Sequence, residues 1–471
     1  MNAPFSRKNL TSVFPQRLVG AILVSVAFML IVFGATGISL PPDACTLLML
    51  GVMAIIAFAI LKTPGGMTSL IGLLFLGIFI FIAARPILAL VTQDESLYTI
   101  TFGATVDPNK ETIYRLLAFW TTGFSSLFGG YFLFFRRDTG IFGVWNEPTK
   151  AYCKQSFMAA FVVVAALLPV MAYKRFGAFA SGGYAALYLS QSHYSFDITR
   201  LIDFLAPLLY ALSVIISEKR YTRIMLATIG VYVLTGALVG RRMEAGSWFL
   251  VALWHFSTIR RKPIGMARLL VVLATAGCVL ESMELLRGGD DVNNILLVQF
   301  FISQGITVML PGLSWQLPFP PVHTILGSLL PMGALFNLLG IGAAETSSIG
   351  AYVCSQSNPL LFQSGLGLGS SAFIEVFYVS GQIMALYAAS CGLLGFLLRK
   401  WEMRASRSRV AMFFLCACIS SLFSAPRGSL NTLSSQVIYL SVFMAGTYVL
   451  SLSLVICRFS AVCTEGAHGK G

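Results

Sequence analysis

Long apolar segments recur along almost the whole chain and are separated by short polar stretches. Twelve of them approach the length that an α-helix needs to cross about 30 Å of hydrocarbon. They cover residues 18–40, 44–61, 67–91, 113–135, 155–173, 203–217, 224–239, 245–258, 266–284, 371–397, 410–425 and 433–457. Backbone polar groups find no water inside a bilayer, so each segment is expected to be helical. The pattern predicts an all-α polytopic membrane protein, with residues 1–471 forming one transmembrane domain.

The longest interval between predicted spans covers residues 285–370 and is expected to be a large loop on one face. It contains a proline-rich run and two apolar stretches, 295–310 and 325–342. If both stretches crossed the membrane, the chain would have fourteen spans. Pro331, Asn337 and the many glycines favour short helices that lie on the membrane interface or dip into it.

Charge predicts the orientation of the chain. The loops that hold the N-terminus, the C-terminus and every second connection contain 22 of the 32 lysines and arginines, but only 5 of the 19 acidic residues. Basic loops stay in the cytoplasm. Both termini are therefore expected in the cytoplasm, and the 285–370 loop on the outer side. Orientation and anionic headgroups account for the net charge of +13 without nucleic acid.

The arginines on the predicted outer side are candidate ligands for an anion, because a guanidinium stays charged and can bind a phosphate with two parallel hydrogen bonds. Arg242 and Arg427 are the stronger candidates, since both lie in glycine-containing turns at helix ends. The alternative is that each arginine reaches the membrane surface or pairs with an outer acid such as Glu244, Asp290 or Asp291. The outer arginines are Arg85, Arg175, Arg200, Arg241, Arg242, Arg287 and Arg427.

Two further residues are candidates for chemistry. Glu375 is expected about one turn inside the outer end of the 371–397 segment, where a carboxylate is costly unless it is paired or hydrated. It could act as a general base toward a hydroxyl or orient an arginine. His323 follows the proline-rich run, where a structural imidazole is expected and a catalytic base is the alternative. The nine cysteines are scattered, and no metal or other cofactor is predicted.

Several short motifs occur in an order that resembles a known family. An arginine ends the third predicted helix, a Gly-Arg-Arg turn joins two later helices, and Arg-Gly-Gly-Asp begins the large loop. A Ser-Ser-Ala-Phe-Ile-Glu-Val-Phe-Tyr-Val-Ser-Gly run opens the next helix, and Pro-Arg-Gly-Ser precedes the last one. This ensemble resembles the Wzy-type polymerases of O-antigen and enterobacterial common antigen. The resemblance covers nearly the whole chain, although each motif is short.

The resemblance implies a metal-independent glycosyltransferase of the bacterial inner membrane, with an architecture like that of GT-C-type enzymes and O-antigen ligases. Such enzymes transfer a growing glycan from undecaprenyl pyrophosphate to another lipid-linked repeat unit at the periplasmic face. They commonly work with a chain-length regulator, which is therefore a candidate partner beside the membrane lipids. By position, the implied catalytic residues are Glu375, Arg242 and Arg427. The resemblance also implies Arg85 and Arg287 as pyrophosphate ligands, and Arg241, Asp290 and His323 are further expected substrate-binding residues.

Three other readings compete with a polymerase. An O-antigen ligase characteristically has a histidine about eleven residues before the glycine that corresponds to Gly381, but Ser370 occupies that position here. A flippase of lipid-linked oligosaccharides is expected to have short loops on both faces and cations along a central cavity. A structural membrane subunit would not need arginines concentrated on one side. The motifs favour the polymerase.

Overall fold

The computed structural model describes residues 14–99, 109–135, 147–189, 198–260, 262, 264–285, 295–315, 317–331, 339, 348–363 and 369–468. These parts of the chain are helical and contain no strand. The helices are α1 (Phe14–Thr36), α2 (Pro42–Leu61), α3 (Leu70–Ile78), α4 (Ala84–Thr92), α5 (Lys110–Leu133), α6 (Glu147–Leu189), α7 (Leu201–Ile216), α8 (Lys219–Leu238), α9 (Arg242–Trp254), α10 (Met266–Leu285), α11 (Leu296–Gln304), α12 (Leu310–Ser314), α13 (Val322–Leu329), α14 (Ile349–Ser357), α15 (Pro359–Gln363), α16 (Ala372–Val379), α17 (Met384–Ala405), α18 (Arg409–Ser424) and α19 (Leu430–His468).

Within the described ranges, nine helical stretches are long and apolar enough to cross a membrane. Eight of them coincide with predicted segments, and the ninth, Leu296–Ser314, lies in the interval predicted as a loop. The segments predicted at 245–258, 266–284 and 433–457 are also helical, as α9, α10 and part of α19. The fold is consistent with a polytopic membrane protein, while the count of twelve spans stays a prediction.

The predicted continuous helix over 371–397 is wrong. The structure contains two helices there, α16 and α17, because Gly381 and Gln382 adopt φ angles of 63° and 60°. This left-handed conformation cannot continue a right-handed helix. The 22 residues of α17 extend about 33 Å, which matches the hydrocarbon thickness in length, but α17 is not among the nine stretches that are also apolar enough to cross. Glu375 therefore lies in a separate short helix and not inside a long span.

Helix α5 forms the centre of the bundle and packs closely against α1 and α17. A Cβ atom at Gly130 would lie 2.0 Å from the carbonyl oxygen of Gly392, and one at Gly395 would lie 1.9 Å from that of Leu127. Small residues let helix backbones approach this closely within a membrane. The N-terminal half of α5 contributes Phe119 and Trp120, both fully buried, to an aromatic core.

Hydrogen bonds join helix ends that the charge pattern assigns to the same side of the membrane. At one end, Tyr114 donates to the carbonyl of Ile38 over 2.9 Å. At the other end, the hydroxyl of Tyr131 donates to Glu402 over 2.5 Å, and Arg399 donates to the same carboxylate oxygen over 2.7 Å. The pairing of ends agrees with the predicted alternation of the helices.

Candidate functional site

Helix α11 ends at Gln304, where the chain changes to a 3-10 helix at Gly305–Met309. We call residues 302–305, at this change, the α11 break. A Cβ atom at Gly305 would lie 2.6 Å from the Cβ atom of Arg85. Only a residue without a side chain allows this approach. The α11 break is therefore in direct contact with the first of the predicted arginines.

Arg85 is bound by backbone carbonyl groups. Its Nε donates to the carbonyl of Leu97, and its two terminal nitrogens donate to Thr99 and Ile302, each over 3.4 Å. The side chain is buried, with 7% of its surface exposed. The contact with Ile302 places positive charge beside the carbonyl end of α11, which stabilises that helix end. Arg85 thus fixes the position of the α11 break.

Arg242 reaches the α11 break through a carboxylate. Its Nη1 donates over 3.0 Å to Oε2 of Glu281, on α10. The same oxygen accepts a longer hydrogen bond, 3.4 Å, from the hydroxyl of Ser303. Glu281 is buried, with 3% of the side chain exposed, so the ion pair is shielded from water. Helix α9 begins at Arg242, so the helix holds the backbone from which this side chain extends.

Arg427 approaches the α11 break from the turn between α18 and α19. Its Nη1 donates over 2.6 Å to the side-chain oxygen of Gln304, which is itself buried. The guanidinium carbon also lies 6.0 Å from the centre of the Phe81 ring, a distance at which a cation and an aromatic face attract each other. Three predicted arginines, on different parts of the chain, therefore converge on one helix break.

Glu375 lies beside the turn that contains Arg427. Its Oε2 accepts a hydrogen bond of 2.7 Å from the backbone nitrogen of Leu430, and its Oε1 accepts one of 2.9 Å from the hydroxyl of Ser370. The side chain is fully buried. A carboxylate that bonds the first backbone nitrogen of α19 stabilises the start of that helix. Glu375 therefore connects α16 to the Arg427 turn.

Burial raises the pKa of the Glu375 carboxyl to about 7, although hydrogen bonds from Ser429, Leu430 and Ser370 lower it. Helix α16 is not among the stretches suited to crossing the membrane. Removal from water disfavours the charged form of a carboxyl group, which explains the direction of the shift. Near neutral pH this group can hold or release a proton.

Arg241 does not join the same set of contacts as its neighbour Arg242. It pairs with Glu244 over 3.0 Å and with Asp203 over 3.8 Å. Asp203 also accepts a hydrogen bond of 2.6 Å from Tyr232 and lies 3.9 Å from Arg175. Through these contacts, α6, α7, α8 and α9 are joined by the side chains of Arg175, Asp203, Tyr232 and the Arg241–Glu244 pair. The adjacent arginines thus have different partners, and Arg241 anchors the turn from which Arg242 extends.

The other predicted site residues are not part of this arrangement as described. Arg287 and Asp290 lie outside the described residues. His323 is half-buried in the first turn of α13. This helix is connected to the start of α19, because the side-chain amide of Asn431 donates to the carbonyl of Gly327 over 2.6 Å.

Three residues of the site were not predicted from the sequence: Glu281, Ser303 and Gln304. The sequence did contain a signal for Glu281, since a carboxylate near the end of the apolar run 266–284 is costly without a partner. It contains no such signal for Ser303 and Gln304, because both are uncharged. Their importance depends on where α11 ends, which the apolar pattern does not show.

The guanidinium groups gathered at the α11 break are of the chemical type that anion-binding sites use. Guanidinium groups supply charge and directed N–H donors, and burial of their partners strengthens the attraction in a medium of low dielectric constant. Among the described residues, no group of three or more His, Cys, Asp or Glu side chains is placed to hold a metal ion. The charged groups available at the α11 break are therefore arginines and carboxylates.

Comparison with known proteins identifies the family. The family model for the O-antigen polysaccharide polymerase Wzy matches residues 19–458, nearly the whole chain. No match is found among curated proteins or among solved structures. The matched region contains all the described residues of the α11 break and its partners. The chain therefore belongs to the O-antigen polysaccharide polymerase Wzy family.

Proposed function

We propose that the protein polymerises lipid-linked oligosaccharide repeat units, using the arginines at the α11 break to bind the diphosphate of the donor. The observation that supports this proposal is the convergence of Arg85, Arg242 and Arg427 on residues 302–305. The family match supports the reaction class. In this proposal the donor carries the growing glycan on undecaprenyl pyrophosphate, and the acceptor is the non-reducing sugar of another unit.

The proposed transfer exchanges a glycosyl phosphate bond for a glycosidic bond. The bond between the sugar's anomeric carbon and the diphosphate oxygen breaks, and its electron pair stays on the departing diphosphate. An acceptor hydroxyl oxygen forms the new bond to that carbon, and its proton passes to the departing diphosphate or to water. Guanidinium groups next to the diphosphate stabilise the negative charge that develops on it in the transition state. No step in this scheme requires a metal or another cofactor.

The contacts of Glu375 support a positioning role over that of a general base. Both carboxylate oxygens accept hydrogen bonds from the protein, and the side chain is fully buried. A base must lie within hydrogen-bond reach of the proton that it removes. We therefore propose that Glu375 holds the Arg427 turn against α16.

We expect Glu375→Gln to keep polymerisation within about tenfold of the wild-type rate and Glu375→Leu to lower it by about a hundredfold or more. Glutamine can still accept the hydrogen bond from the Leu430 nitrogen, whereas leucine cannot. The measurement is the initial rate of polymer formation with protein in detergent or nanodiscs. Equal losses in the two variants would mean that the ionised carboxyl itself takes part in the reaction.

The same carboxyl should make stability depend on pH. Between pH 4.5 and about 7 the folded protein retains a proton that the unfolded chain has lost. The Glu375 contribution to the free energy of unfolding is therefore full below this window and falls as pH rises through it, by roughly 3 kcal/mol in all. Melting temperatures measured at several pH values should show this decrease in the wild type and less of it in Glu375→Gln. Identical pH profiles would contradict the raised pKa.

We further propose that the protein lies in the bacterial inner membrane, with both termini in the cytoplasm and the α11 break near the periplasmic face. The asymmetry of lysines and arginines supports this orientation. A topology reporter fused after Ser355 should then read periplasmic, and one fused after Ser406 cytoplasmic. The opposite readings would place the arginines on the cytoplasmic side and remove the proposed route of the substrate. A chain-length regulator is the proposed protein partner.

The proposed function is tested by supplying purified protein with a lipid-linked repeat unit and separating the products by size. A ladder of products is expected. A single addition to lipid A core would instead indicate a ligase, and movement of the substrate across a bilayer without bond formation would indicate a flippase. Arg427→Ala protein, purified in parallel, provides the inactive control.

A further inference from the structure

The two strongest candidate arginines are connected by an unbroken series of side-chain contacts. Arg427 donates to Gln304 over 2.6 Å, and the side-chain nitrogen of Gln304 donates to the Ser303 hydroxyl over 3.5 Å. The single hydroxyl hydrogen of Ser303 is shared between Glu281, at 3.4 Å, and the carbonyl of Phe300, at 3.1 Å. Glu281 in turn accepts from Arg242 over 3.0 Å. The series crosses from α9 through α10 and α11 to the turn before α19.

Each member of this series is held by its surroundings. Gln304 and Glu281 are each 3% exposed, so neither side chain has room to reorient in water. Arg85 bonds the carbonyl of Ile302 and contacts Gly305, on either side of the two α11 residues in the series. Ser303 and Gln304 therefore connect the two guanidinium groups through residues whose own positions are held.

From this geometry we infer that Gln304 is a positioning residue for the transfer reaction: its side-chain amide holds Arg427 and links it through Ser303 and Glu281 to Arg242. This inference rests on the proposed function. The two arginines would then act on one diphosphate as a pair of fixed spacing. Pre-set donors lose less free energy to reorganisation when charge develops on a leaving group.

The chemistry of an amide suits this position. Its oxygen accepts from a guanidinium while its nitrogen donates onward to a hydroxyl, so one neutral side chain extends the series in both directions. A methionine has similar length and apolar volume but cannot do either. A glutamate can still accept from Arg427, but it adds a negative charge next to the group proposed to attract the diphosphate.

Two Gln304 variants therefore separate orientation from charge. Gln304→Met should lower kcat at least tenfold, leave KM within threefold, and bind inorganic pyrophosphate within threefold of the wild-type Kd. Gln304→Glu should weaken pyrophosphate binding at least tenfold. Matched controls are Gln299→Met and Gln299→Glu, on the same helix and about one turn earlier, which should leave all three quantities within twofold. If Gln304 had only a structural role, Gln304→Met would not lower kcat while leaving the Kd for pyrophosphate nearly unchanged.

Wild-type kcat in Gln304→Met, or wild-type pyrophosphate affinity in Gln304→Glu, would overturn the inference. If a Gln304 variant fails to accumulate, Ser303→Ala gives a second test, because it removes the link to Glu281 at a less buried position. In this variant kcat should fall at least threefold with KM unchanged. Wild-type kcat in Ser303→Ala would again overturn the inference. The pyrophosphate measurement needs no polymer. Absence of a product ladder, or of pyrophosphate binding, with wild-type protein would refute the proposed function and the inference that rests on it. A wild-type ladder together with wild-type kcat in Gln304→Met would refute the inference alone.

Discussion

Arg427→Ala is expected to lower the rate of polymer formation by about a hundredfold or more while the protein still accumulates in the membrane. Removing one donor that stabilises developing negative charge typically costs this much. Arg427→Lys should stay below about a tenth of the wild-type rate, because an ammonium group cannot present the planar pair of donors. The assay is the rate of appearance of polymer from a lipid-linked repeat unit, normalised to the amount of folded protein.

The matched control for this prediction is Arg115→Ala. Arg115 is 63% exposed and pairs with Glu111 one turn earlier on α5, over 2.6 Å. Such an exposed pair contributes little to stability, and the predicted topology places it on the same face as Arg427. Its removal should leave polymerisation unchanged. Wild-type polymer formation in Arg427→Ala, or equal losses in both variants, would contradict a specific role for Arg427 at the α11 break.

The second large effect concerns stability: Gly395→Ala should reduce the amount of folded protein in the membrane at least fivefold. The added methyl carbon would lie 1.9 Å from the carbonyl oxygen of Leu127 and 2.9 Å from the backbone nitrogen of Tyr131. Because both neighbours are backbone atoms, α5 and α17 would have to separate, which disrupts the centre of the bundle. A loss of a few kcal/mol is enough to change cellular abundance several-fold.

Gly51→Ala, on α2, introduces the same methyl group where nothing lies within 4 Å of it. Alanine is the better helix former, so this variant should accumulate at least as well as the wild type. Quantitative immunoblotting of membranes and thermal melting in detergent give the two readouts. If both alanine variants behaved alike, close packing between α5 and α17 would not be what stabilises the bundle.

The apolar pattern predicted most of the helices because each membrane span needs a helical run of similar length and apolar composition. It did not predict the break between α16 and α17, where Gly381 and Gln382 adopt positive φ angles within an otherwise apolar run. It also placed residues 295–310 among short interfacial helices, whereas Leu296–Ser314 is long and apolar enough to cross a membrane. Local backbone conformation and tertiary contacts decide such positions, and neither follows from hydropathy.

The sequence predicted which charged residues belong to the candidate site, but not the contacts that connect them. Unexplained cations at the ends of apolar segments pointed to Arg85, Arg242 and Arg427, and the structure brings all three to the α11 break. Ser303 and Gln304 are uncharged residues in an apolar stretch, so no electrostatic signal distinguishes them. Only the fold shows that they lie between the arginines. The roles of all these residues remain proposals that the variants above test.

The different partners of Arg241 and Arg242 have a consequence for how this protein tolerates change in length. Successive residues at a helix start differ in direction by about 100°, so deleting one residue just after Arg242 would move both arginines one position along α9. Arg241, now paired with Asp203 and Glu244, would take the position that faces Glu281, and Arg242 would move past it. Total charge would be unchanged, yet the register of the turn would be lost. Natural insertions and engineered tags should therefore be excluded from this turn even where they preserve every arginine.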